Sequence, residues 1–77
     1  MRYYLGVYYK SDESILFDLP LSFHPVEEGL NETTNERYWI AEGASIGEGV
    51  KYAVSMCNRL VDRGVMSAEY RIEIKRM

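Results

Sequence analysis

The sequence predicts an α+β domain: a three- to four-stranded, mainly antiparallel sheet with one helix packed on one face, in β-β-β-α-β order. Three observations predict it. Ala68, Tyr70, Ile72 and Ile74 alternate with Glu69, Arg71, Glu73 and Lys75, the period of a strand with one face buried and one wet. Ile46, Val50, Ala53, Val54, Cys57, Leu60 and Val61 recur at three- and four-residue spacing, the period of an amphipathic helix. Residues 2–9 are mostly aromatic and β-branched, a composition that fits a pleated surface.

The first strand places Tyr3, Leu5, Val7 and Tyr9 on one face and Tyr4, Gly6 and Tyr8 on the other. Ser11-Asp12-Glu13-Ser14 reads as a polar turn, and residues 15–19 as a returning strand that Pro20 stops. Residues 20–35, with Pro20, Pro25, Gly29 and two asparagines, read as an irregular loop in which Pro25 opens a single helical turn. Arg37–Ala41 reads as a third strand, with Tyr38 and Ile40 on one face and Trp39 on the other. The helix follows from about Ser45 to Arg63. Ser45 and Glu48 have capping-box spacing, and Gly64 stands where a left-handed C-terminal cap is expected.

All 77 residues are expected to form a single domain, and at that length stability is marginal. Cys57 is the only cysteine, which excludes a disulfide and a cysteine-based zinc site. The N-terminal residues lack the pattern of a signal peptide, and no stretch approaches the roughly 20 apolar residues of a membrane span. A cytoplasmic protein without a membrane partner is the expectation.

Charge is unevenly distributed along the chain. Net charge is −3, but residues 11–48 carry nine acids against Arg37 alone. Residues 49–77 carry Lys51, Arg59, Arg63, Arg71, Lys75 and Arg76 against Asp62, Glu69 and Glu73. An acidic middle therefore precedes a basic C-terminal third.

No catalytic, cofactor or metal constellation stands out. Cys57 lies mid-helix on the apolar stripe, not at a helix N-terminus where a thiol pKa falls, and reads as a small core residue; His24 sits between Phe23 and Pro25 in the irregular segment. Gly43–Gly49 joins a strand to a helix, but lacks phosphate-loop spacing and its lysine, and Glu42 and Glu48 would repel an anion. Helix capping and close helix–sheet packing explain those glycines better.

The aromatic residues and the acids carry the functional expectation. If the helix covers the Tyr3/Leu5/Val7 face, Tyr4, Tyr8 and Trp39 are expected together on the open face, and Tyr and Trp dominate interface hot spots. Glu27, Glu28, Glu32 and Glu36 form the accompanying acidic set. The expected function is a small non-enzymatic protein-interaction module that binds another protein, such as a nucleic-acid-binding complex, through those residues. Small anti-CRISPR and anti-restriction inhibitors of phages and mobile elements work in this style, an analogy of size and charge alone. The alternative is a nucleic-acid binder whose basic C-terminal third tracks phosphate while the tyrosines stack bases. A homodimer through an exposed edge strand is a further expectation.

Overall fold

A computed structural model describes residues 2–17 and 22–77. Among these, four strands form one antiparallel sheet in the order β2-β3-β1-β4: β1 is Tyr3–Tyr9, β2 Phe23–Asn31, β3 Glu36–Gly43 and β4 Arg71–Arg76. The helix α1, Ile46–Asp62, connects β3 to β4 and packs on one face of the sheet. The predicted α+β class and β-β-β-α-β order are those observed.

β1 is central because its residues 3–8 pair on both sides. Val7 lies opposite Trp39 on β3 and opposite Ile72 on β4. Side chains alternate across a strand, so this register puts Leu5, Val7, Tyr9, Trp39 and Ala41 on one face. All five are at most 3% exposed. The helix contributes Ala53 and Cys57 to the same core, and Ile46, Val50, Leu60 and Val61 pack at its margin.

The helix does not cover this face alone. Residues 10–17 run across the β1/β3 side as an irregular strap. Ile15 and Phe17 are buried, and Phe17 lies 5.2 Å from the Trp39 ring and 5.5 Å edge-on from Tyr9. The Ile15 amide donates to the Tyr9 hydroxyl at 2.9 Å. Arg37 Nε donates to the Ser11 carbonyl at 3.1 Å, and its Nη2 donates to the Asp12 carbonyl at 3.2 Å. These bonds satisfy backbone groups that have no ladder partner. The expected strand over residues 15–19 is therefore not a strand through Phe17; Asp18, Leu19 and the Pro20 stop lie outside the described residues.

The larger correction concerns residues 20–35. From Phe23 to Asn31 they form edge strand β2 rather than a loop. No helical turn follows Pro25. A β-bulge falls between Pro25 and Glu27 instead, leaving Val26 without a register partner. Proline has no N–H for a ladder, so an edge strand with a bulge accommodates it. Only Phe23 of this strand is buried, so the apolar alternation that marks a strand is missing. The turn into β3 is held by Asn31 Oδ1, which accepts from the Thr33 amide at 3.1 Å and the Thr34 amide at 3.4 Å.

The helix ends as predicted but begins differently. Gly64 has φ of 74°, its amide donates to the Val61 carbonyl, and the Val65 amide donates to the Leu60 carbonyl. That pair of bonds is a Schellman cap. At the other end Ser45 makes no side-chain capping bond, so the capping box does not form. The Gly43–Gly49 turn is instead a packing device. A Cβ on Gly49 would stand 2.5 Å from the Phe23 ring, and one on Gly43 2.7 Å from it.

That contact sets two effects against each other in Gly49→Ala. Alanine is the better helix former by about 1 kcal/mol. Overpacking against a buried ring costs about 1–3 kcal/mol. The expected outcome is a net loss of about 1 kcal/mol in a urea unfolding curve. A gain in stability would show that Phe23 does not seat against the helix.

Candidate functional site: the open face of the sheet

The opposite face of the sheet is covered by no element among the described residues. The register arranges it in rows across the strands. One row runs Glu73, Gly6, Ile40, Glu27. On one side lies the row Lys75, Tyr4, Glu42, and on the other Arg71, Tyr8, Tyr38, Gly29. Gly6 has no side chain, so its row is a trough between walls of tyrosine. This concavity, about 370 Å³, is lined by Tyr4, Tyr8, Ile40 and the bulged Val26, with Glu27 toward one end and Glu73 and Lys75 toward the other.

The walls are held in place by specific contacts. Tyr38 lies across Gly29, where a Cβ would come within 2.5 Å of its hydroxyl, and donates that hydroxyl to Glu27 at 2.9 Å. The bond and charge of Glu27 raise the Tyr38 phenol above its usual pKa. The Tyr8 and Tyr38 ring centroids are 6.3 Å apart. Arg71 lies over the Tyr8 ring at 4.2 Å, pairs with Glu36 at 3.1 Å and also pairs with Glu73. Its position is over-determined although each exposed contact is worth only about 1 kcal/mol or less.

The structure separates the residues expected to act together. Tyr4 and Tyr8 are on the open face, as predicted, but half-buried rather than exposed. Trp39 is not. It is 3% exposed, on the helix side opposite Val7 and against Phe17. The expectation had Trp39 join Tyr4 and Tyr8, but the β1–β3 register pairs it with the buried set. Its place is taken by Tyr38 and Ile40. Among the acids, Glu27 lies at the trough and Glu36 is tied to Arg71, while Glu28 pairs opposite Trp39 at the other face and Glu32 lies in the β2–β3 turn. Of the remaining acids, Glu42 pairs with Arg2 at 3.5 Å. Sequence reasoning missed Val26 and gave Arg71 only a phosphate-tracking role; a bulge at Pro25 and a cation opposite Tyr8 become visible only once the register is known.

Two of the rejected sites can be placed. Cys57 is fully buried, and burial pushes its thiol up to about 11, while His24 is exposed on β2. No cluster of three or more metal-ligating side chains occurs among the described residues. No described helix is long and apolar enough to cross a membrane. No protein-family model, curated protein or solved structure matches the chain.

The Cys57 environment has a pH consequence. An unfolded thiol ionises near its ordinary value of 9.0, whereas the folded one holds its proton to about 11. Between those values the unfolded state binds fewer protons, so stability falls as pH rises. Chemical unfolding across pH 8–11.5 is expected to show that decline in the native protein and a shallower one in Cys57→Ala, with the raised Tyr9, Tyr38 and Tyr70 phenols contributing to the remainder. Equal slopes would place the thiol in contact with water.

Proposed function

We propose that the chain is a small protein-interaction module that docks through the open face of its sheet. The observation that supports this most is the tyrosine-walled trough over Gly6. A protein interface is built around an apolar anchor in a pocket, surrounded by polar groups that exclude water. Tyr4, Tyr8, Val26 and Ile40 supply such a pocket, and Glu27 at its β2 end favours an anchor with a cation beside it, whereas Glu73 is already paired with Arg71 and Lys75 lines the β4 end. The partner that fits is a protein presenting an apolar side chain next to a lysine or arginine.

The edge charges point the same way. β2 and its turn carry Glu27, Glu28 and Glu32 without a lysine or arginine, next to the trough. A basic protein surface, such as one that holds nucleic acid, complements that side. Occupying it would make the chain an inhibitor in the anti-CRISPR or anti-restriction style. The acidic contribution is narrower than the sequence implied, because Glu36 and Glu42 are already paired with arginines.

Direct nucleic-acid binding is the weaker reading. Lys51 and Arg59 belong to the helix, on the other side of the sheet from the tyrosines. Lys75 lines the trough beside Tyr4 as a single cation, while Arg71 covers Tyr8 and is neutralised by two glutamates. A base stacking on Tyr8 would have to displace Arg71.

A photo-reactive phenylalanine analogue tests the reading when placed at Ile40 in the trough and, separately, at Tyr52 on the outer helix face. In lysate of the source cells, the Ile40 probe is expected to yield one discrete adduct with a basic protein. The Tyr52 probe is expected to yield none. Glu27→Lys should lower the adduct about tenfold, the effect of some 1.4 kcal/mol. Equal adducts from both positions, no adduct from Ile40, or an adduct with nucleic acid would each overturn the proposal.

A further inference from the structure

The two edges of the sheet are built differently. β2 is guarded against strand addition by Pro25, by its bulge and by like charges. β4 has none of these. Its six residues contain no proline or glycine, and its register with β1 runs unbroken from Arg71 to Arg76. Its charges, Arg71, Glu73 and Lys75, alternate in sign on one face.

The direction of its free backbone groups follows from the ladder. The Met77 amide donates to the Arg2 carbonyl, so residues 77, 75, 73 and 71 bond inward to β1. The N–H and C=O groups of Ile72, Ile74 and Arg76 therefore point outward from the sheet. The apolar side chains at this edge are also open. Ile74 is 50% exposed and Met77 55%. Val54, 37% exposed, is one helical turn from Asn58, which accepts from the β4-side Tyr70 hydroxyl at 2.6 Å.

We propose that β4 pairs antiparallel with β4 of a second copy, about a two-fold axis at Ile74, to form a continuous eight-stranded sheet. The outward bonds then match: Ile74 pairs with Ile74 of the second copy and Ile72 with its Arg76. Glu73 of each chain faces Lys75 of the other, and Lys75 has no ion pair among the described residues. The two Ile74 side chains cover each other on the helix side. A shift that centres the axis on Glu73 fails, because it sets glutamate against glutamate and Arg71 against Lys75. The pairing leaves both troughs on the same open face and engages Glu73 and Lys75 at the β4 end of each.

Charge reversal tests both the dimer and its register. Sedimentation equilibrium of the full chain is expected to give twice the 9.0 kDa of one chain. Glu73→Lys and Lys75→Glu each place like charges across the axis and should sediment as monomers. Mixing these two monomeric variants restores both Glu–Lys pairs and should give a heterodimer. The double variant should dimerise with itself. Amide exchange at Ile72, Ile74 and Arg76 in the unmodified chain should slow with rising concentration, a readout that needs no variant to fold. A monomer at about 1 mM, a dimer indifferent to either single reversal, or no recovery on mixing would overturn the proposal.

Discussion

Pairing Val7 with Trp39 fixes the face that every side chain in the sheet takes. A strand's side chains have a period of two, so one register assigns both strands at once. With Trp39 inside, Leu5, Val7, Tyr9 and Ala41 go inside with it, and Tyr4, Tyr8, Tyr38 and Ile40 go outside. A slip of one residue would reverse all of β3. The core and the trough are therefore two consequences of one constraint, and neither can be altered independently through β3.

The buried face is covered by two unlike elements. α1 lies over β1 and β4, and the strap of residues 10–17 covers the Trp39 side. A helix can bring only one stripe to a sheet, and four strands are wider than that stripe. The strap supplies the missing cover with Ile15 and Phe17, and Tyr9 and Arg37 bind its otherwise unpaired backbone. With no disulfide available, this small domain depends on both covers being seated.

The helix and the last strand were legible because each shows its period openly, although β4 starts at Arg71 rather than Ala68 and leaves Ile74 half exposed. The Gly64 cap was legible for a similar reason: a left-handed residue after an apolar stripe leaves few alternatives. β2 was hidden because almost nothing in it is buried; its strand state comes from hydrogen bonding to β3, and Pro25, Gly29 and Asn31 argue locally against it. The strap looked like a strand because Ile15 and Phe17 alternate, yet their burial comes from lying on the sheet rather than in it. Half of the open face was legible, since Tyr4 and Tyr8 share β1. The other half depended on the parity between β1 and β3, which local pattern does not specify: Tyr38-Trp39-Ile40 is apolar on both faces.

That parity is open to direct measurement. Trp39 is the single tryptophan, so its emission reports one position in the fold. Iodide quenching of its fluorescence, compared between native and urea-unfolded protein, separates the two arrangements. Trp39 behind Phe17 and Val7 predicts emission that is strongly shielded in the native state and freely quenched on unfolding. Equal quenching in both states would put the indole on the open face and contradict the register on which the core and the trough both depend.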